Sequence, residues 1–293
     1  MTFWARVGGR QSDAVGWPAL ILKETTLKRV DEQYETLQVE RIEDNLLLIT
    51  LNRPHAGNST NTRMGHDLFD LWTGLYVDQQ DIRCAVITGA GDKIFSAGGD
   101  LKERNNMTDA QWHQQHALFE KARIALMDCP VPVIAAVNGA AYGGGLETVL
   151  SCDFAYAVRR AKFALTEVTL GIMPGGMGTQ NLPRAVGQRR AKEIILTGEP
   201  FTAEQAFEWG VINRVCDDGK LMEEVLATAR KICRNAPLSV YRAKKSINIA
   251  GEVDIHSGFD FELEAYNRLV GTADRLEGVR AFNERRPAKF KGA

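Results

Sequence analysis

Residues 133–150 read VIAAVNGAAYGGGLETVL. The first five are all apolar and three of them are β-branched, which fits a short strand buried on both faces. Asn138 to Gly145 are almost all small, and from Leu146 to Leu150 an apolar pattern with helical spacing resumes, so the glycine loop runs directly into a helix N-terminus. A buried strand that feeds a glycine-rich loop and then a helix is the signature of a mixed α/β chain.

The same units recur on either side. Upstream, Leu37 and Val39 and then residues 46–51 read as two short strands joined by a turn at residues 43–45. Met64, Leu68, Leu71, Trp72 and Leu75 fall on one face of a helix over residues 62–77. Residues 84–88 form a buried strand, 89–92 a turn, 94–97 a second short extended piece and 108–128 a helix. Downstream, residues 154–157 and 162–165 read as strands. Beyond Gly187 the pattern turns helical, over 189–197, 202–209, 221–235, 238–250, 254–270 and 274–285, with Thr202 and Asp254 or Ser257 as caps. The expected division is an arm over residues 1–36, a core over 37–200 and a helical remainder over 201–293. Residues 1–36 show no sustained period. Arg6 and Arg10 are not followed by an apolar stretch, so a flexible or docking arm of a cytoplasmic protein is expected, with a transit peptide as the alternative.

Composition narrows the function classes. The 293 residues hold 36 Lys+Arg against 37 Asp+Glu, a net charge of −1, which lacks the basic excess of a protein that coats phosphate backbones. The five cysteines are scattered and never in CxxC spacing, so neither a disulfide framework nor a structural zinc site is expected. The longest apolar runs fall far short of the roughly 20 residues that span a bilayer.

Two glycine loops stand out, SAGGD at residues 96–100 and NGAAYGGGLE at 138–147. Neither fits the dinucleotide-binding or P-loop spacing. Each could bring a backbone N–H close to a ligand, and one from each loop would make an oxyanion hole; two tight turns is the alternative. Glu147 and Glu167 each sit beside a small-residue turn and could act as an acid–base pair. The other readings are a helix N-terminal acid for Glu147 and a solvated loop residue for Glu167. His113 and His116 read as surface residues, since nothing nearby completes a metal site. The basic cluster over residues 285–291 is either a solvated C-terminus or a contact for a phosphate-bearing ligand.

At these segments the chain resembles the crotonase superfamily of enoyl-CoA hydratases and isomerases. The matching residues are LNRP (51–54), VITGAG (86–91), FSAGGDLKE (95–103), VNGAAYGGGLE (137–147), FALTEVTLGIMPGGMGTQ (163–180), LPRAVG (182–187) and RLEGVRAFNERRP (275–287). The resemblance implies a spiral of ββα units followed by a C-terminal helical region that mediates trimerisation, with trimers often paired. It also implies a coenzyme A thioester as substrate, with no further cofactor, no metal, and no nucleic-acid or membrane partner. It implies Gly99 and Gly144 as N–H donors to the thioester oxygen, Glu147 and Glu167 as the catalytic pair, and Ala97, Asp100 and Gly175 as substrate- or water-contacting positions. Lys102 is expected at the coenzyme A phosphates, and Phe282 and Arg285 at the ligand of a neighbouring subunit. Retention of both glutamates points to a 2-enoyl-CoA hydratase. Leu101-Lys-Glu-Arg104 and the C-terminal motif resemble the methylglutaconyl-CoA hydratase subgroup, which is the second reading; an RNA-binding member is a remote third.

Overall fold

The structure, a computed structural model, describes Val30 and residues 32–293. The expected arm therefore lies almost wholly outside the described residues. From Leu37 the chain forms an antiparallel pair, β1 (Leu37–Glu43) and β2 (Leu46–Leu51), and then α1 (Thr62–Val77), which is capped by the Asn61 side chain.

Three windings follow. The first is β3 (Cys84–Gly89), β4 (Ile94–Ser96), α2 (Leu101–Arg104) and α3 (Asp109–Asp128). The second is β5 (Val133–Val137), β6 (Ala140–Tyr142) and α4 (Gly144–Ser151). The third is β7 (Phe154–Val158), β8 (Lys162–Ala164), a 3-10 turn at Glu167–Leu170 and α5 (Gly178–Thr197). Each winding gives its first strand to one sheet, ordered β1-β2-β3-β5-β7 with a last strand beside β7, and its second strand to a smaller sheet that starts β4-β6-β8. Within each sheet the strands of successive windings are parallel. β3 and β5 are buried at every residue, which is why they read as unbroken apolar runs.

The chain then adds β9 (Phe201–Thr202) beside β8, α6 (Ala203–Glu208) and β10 (Arg214–Cys216) beside β7. It ends in α7 (Leu221–Cys233), α8 (Pro237–Ala250), α9 (Ile255–Val270) and α10 (Ala273–Asn283). Two of the sequence expectations need correction. The glycine loop contains β6, three residues too short and small to show a strand period. α5 starts at Gly178 rather than near residue 189, because it is two helical pieces joined at Gly187 (φ 75°), with Pro183 inside the first. Among the described residues no helix is long and apolar enough to cross a membrane, and all five cysteines are free.

The windings stack without room for side chains where they cross. A β-carbon on Gly145 would lie 2.2 Å from the Ser96 carbonyl oxygen, so only glycine lets α4 start against β4. Gly145→Ala is expected to destabilise the protein by about 1–3 kcal/mol, seen as a lower denaturant midpoint at an unchanged m-value.

Candidate active site

Because β4, β6 and β8 are parallel, their carboxyl ends lie along one edge of the small sheet. Gly99 follows β4 by three residues, Gly144 follows β6 by two and Glu167 follows β8 by three. The carboxyl ends of parallel strands are where α/β folds collect binding groups. Here they open onto a cavity of about 560 Å³ lined by Ala97, Gly99, Gly144, Glu147, Glu167 and Gly175 among others. Six of the ten residues singled out in the sequence thus meet at one place.

The two glycine loops touch. Gly98 has φ +89°, and a β-carbon there would sit 2.9 Å from the Gly144 nitrogen; one on Gly144 would sit 3.8 Å from the Gly99 nitrogen. Neither the Gly99 nor the Gly144 N–H donates to an acceptor among the described residues. The frame around them is held. Thr60 N–H donates to Gly98 O (2.7 Å) and Asp100 N–H to Thr60 O (3.0 Å), while the Gly144 carbonyl accepts from Arg123 Nη2 (3.1 Å) and Thr148 Oγ1 (2.9 Å).

The two carboxylates have opposite surroundings. Glu147 is 5% exposed, in the first turn of α4, and its Oε1 accepts the N–H groups of Gly176 (2.7 Å) and Gly178 (2.9 Å) at the start of α5. Two helix N-termini and the buried Arg123 guanidinium therefore face it. Glu167 is half-buried, and its Oε2 is shut from solvent with no hydrogen-bond partner among the described residues. Burial, helped by the nearby Glu147 charge, pushes the Glu167 carboxyl up to about 7. A β-carbon on Gly143 would lie 3.2 Å from Glu167 Oε1, and one on Gly144 would lie 3.9 Å from Glu147 Oε2, so both acids border the same two residues.

The remaining four residues lie elsewhere. The Asp100 carboxylate is buried and turned inward, accepting from Lys102 N, Glu103 N and Arg53 Nη1, so it caps α2 and does not line the cavity. Lys102, Phe282 and Arg285 are exposed and do not line it either. The C-terminal cluster is only partly solvated: Arg286 pairs with Glu277 and Glu284, and Asp274 accepts from Lys291 N and Gly292 N.

Sequence reasoning missed three cavity groups on or beside α3. His116, expected at the surface, packs its ring against Gly175 and pairs with Glu120 (3.3 Å). Arg104 and Arg123 line the cavity with Trp112 and Phe119. Trp112, His116, Phe119 and Arg123 recur at intervals of three or four, so a helical wheel of α3 aligned on the cavity would have grouped them.

The raised Glu167 value sets a stability window. Below the ordinary value of 4.5 the carboxyl is protonated in folded and unfolded chains alike; as pH rises toward about 7 the unfolded chain ionises first, and folding loses stability. Glu167→Gln removes that loss. Its stability gain over wild type is expected to be absent below pH 4.5 and on the order of 2 kcal/mol above pH 7, measured by thermal unfolding across that range.

Comparison with known proteins agrees with this geometry. Residues 41–293 match the family model described as enoyl-CoA hydratase/isomerase. The (E)-benzylidenesuccinyl-CoA hydratase of Thauera aromatica is 38% identical over 252 residues, 86% of this chain and 98% of that protein. The crotonyl-CoA hydratase of Syntrophomonas wolfei is 37% identical over 257 residues, 88% and 98% of the two chains. A crystal structure of an enoyl-CoA hydratase from Bacillus anthracis superposes with a TM-score of 0.86 at 39% identity, covering 88% of this chain and 100% of that one. With a family model spanning nearly all of the described chain and relatives of this similarity over almost their whole length, the protein belongs to the enoyl-CoA hydratase/isomerase family.

Proposed function

We propose that the protein is an enoyl-CoA hydratase, adding water reversibly and syn across the double bond of a 2-enoyl-CoA thioester to give a 3-hydroxyacyl-CoA. One observation carries the reading: two carboxylates with unlike surroundings border a cavity that also holds two unused N–H groups. In the proposed chemistry the thioester oxygen lies between Gly99 N–H and Gly144 N–H. Attack of water at C3 builds negative charge on that oxygen, and losing one such donor typically costs about 2.7–4 kcal/mol.

The water oxygen bonds to C3, one of its protons passes to a carboxylate of the pair, and the pair delivers a proton to C2, so the pair ends as it began. A carboxyl near 7, as burial makes Glu167, exchanges protons at low cost around neutral pH. In this reading Gly175 faces the water, Ala97 the thioester, and Asp100 acts through the cap and the Arg53 ion pair that hold the Gly99 loop. Lys102 reaches the coenzyme A phosphates, and the chemistry uses no metal or cofactor beyond the coenzyme A of the substrate. The second reading, a methylglutaconyl-type hydratase, has Arg104 at the cavity wall in its favour.

We further propose that residues 37–200 are the catalytic core and that the helices after residue 201 assemble three copies. Ile255, Phe259, Leu263, Tyr266 and Val270 form one exposed stripe on α9, and Leu276, Val279 and Phe282 another on α10. Such a stripe supports burial against a second copy, which would bring Phe282 and Arg285 toward a neighbour's ligand.

Loss of enone absorbance on adding crotonyl-CoA tests the reaction. Glu147→Gln and Glu167→Gln are each expected to lower kcat by about 100-fold or more; turnover near wild type in either would remove that residue from the mechanism. The assembly is tested by light scattering, where Phe259→Glu combined with Leu263→Glu should reduce a multimeric mass to that of one chain.

A further inference from the structure

The cavity lining that holds the two glutamates also carries a built cation. The Arg104 guanidinium carbon lies over two aromatic rings, 4.4 Å from the centroid of Trp112 and 5.5 Å from that of Phe119. Its Nε donates to Gln115 Oε1 at 2.8 Å, and Gln115, 4% exposed, is itself fixed through Nε2 to Thr62 Oγ1 (2.8 Å) and Glu103 Oε2 (2.7 Å). The neighbouring carboxylate of Glu103 is thereby occupied, since it also accepts from Thr62 N–H. Stacking and the Nε bond fix the plane of the guanidinium. Nη1 and Nη2 donate to nothing among the described residues, although Arg104 lines the cavity. Nη1 lies 3.3 Å from where a β-carbon of Gly99 would be, beside the N–H proposed to hold the thioester oxygen.

A guanidinium held by its Nε edge and set beside two aromatic rings offers its two terminal nitrogens as a fork, the geometry that matches a carboxylate. Half-burial of a cation with no ion-pair bond of its own is costly; burial pulls Arg104 below its ordinary value, and the Glu103 charge offsets this only in part. The other acids of the cavity are committed: Glu147 to the start of α5 and Glu120 to His116, and Glu167 to the proton chemistry proposed above. The lining also includes Trp72, Ala122 and Leu126, all buried, and Leu170 and Met173, both exposed.

We infer that Arg104 is a specificity residue for a carboxylate on the acyl group, so that the substrates are monothioesters of unsaturated dicarboxylic acids. This rests on the hydratase reading but narrows it, since a simple alkyl chain would leave the fork empty. The aromatic pair makes the subsite flat and rigid, so the carboxylate gains two charge-assisted bonds without ordering the side chain first.

The test separates binding from turnover by using saturated thioesters that cannot be hydrated. Full-length protein is titrated calorimetrically with glutaryl-CoA, butyryl-CoA and free coenzyme A. Wild type is expected to bind glutaryl-CoA roughly 10- to 100-fold more tightly than butyryl-CoA, the range that two charge-assisted hydrogen bonds supply. Arg104→Met should bring that ratio to about one, and Arg104→Lys, which keeps charge and loses the fork, should give an intermediate ratio. Equal binding of the two thioesters by wild type, or a ratio unchanged in both variants, overturns the assignment. An equal loss of affinity for all three ligands would instead make Arg104 a contact of the coenzyme A phosphates and overturn it too. Hydration of glutaconyl-CoA, the unsaturated counterpart of glutaryl-CoA, is scored separately: no turnover there, with the glutaryl preference intact, defeats the hydratase reading alone.

Discussion

Glu147 Oε1 receives the N–H groups of Gly176 and Gly178, and through that contact the second winding of the spiral is tied to the third. The carboxylate sits in the first turn of α4 while its oxygen closes the start of α5, so a single buried charge satisfies orphan N–H groups at one helix terminus and lies in the positive field of two. A β-carbon on Gly176 or Gly178 would fall within 2.8 Å of the Glu147 carboxylate, so the loop before α5 can wrap the acid only because it has no side chains there. The setting of α5 and the position of the Glu147 carboxylate at the cavity follow from this contact.

The same arrangement separates the two acids. Glu147 has its hydrogen bonds supplied by the fold, whereas Glu167, on a 3-10 turn at the mouth of β8, is left with an unpartnered oxygen and a raised carboxyl. Chemistry that moves one proton in and one out is served by such a difference in environment. The two cavity arginines repeat the principle with cations. Arg123 is spent on the Gly144 carbonyl and the region of Glu147, while Arg104 is fixed at its Nε edge and open at the other. The Glu147 carboxylate is bonded to the frame, whereas Glu167 Oε2, Arg123 Nε and the terminal nitrogens of Arg104 have no hydrogen-bond partner among the described residues.

Much of this was legible in the residues. Buried strands such as Val133–Val137, the glycine loops and the two glutamates carry local signals, namely runs, small-residue turns and acids beside them, and their order matches the windings. The segments that escaped are those whose structure depends on distant partners. β6 is a strand only because β4 and β8 flank it, and the first half of α5 forms despite Pro183 because its N-terminus is closed by Glu147. The resemblance implies Asp100 as a substrate- or water-contacting position, and nothing local shows that its carboxylate pairs with Arg53, 47 positions away.

By itself the sequence determined the α/β character, the succession of strand, glycine loop and helix, and the presence of two acids beside small-residue turns, because these depend on neighbours within a few positions along the chain. Only the tertiary structure decided which groups share a cavity. Stacking the windings in parallel lines up the ends of β4, β6 and β8, and it turns one face of α3 toward them, which brings His116 to Gly175 and Arg123 to the Gly144 carbonyl. Those meetings are set by the register between windings, which no local stretch of residues encodes.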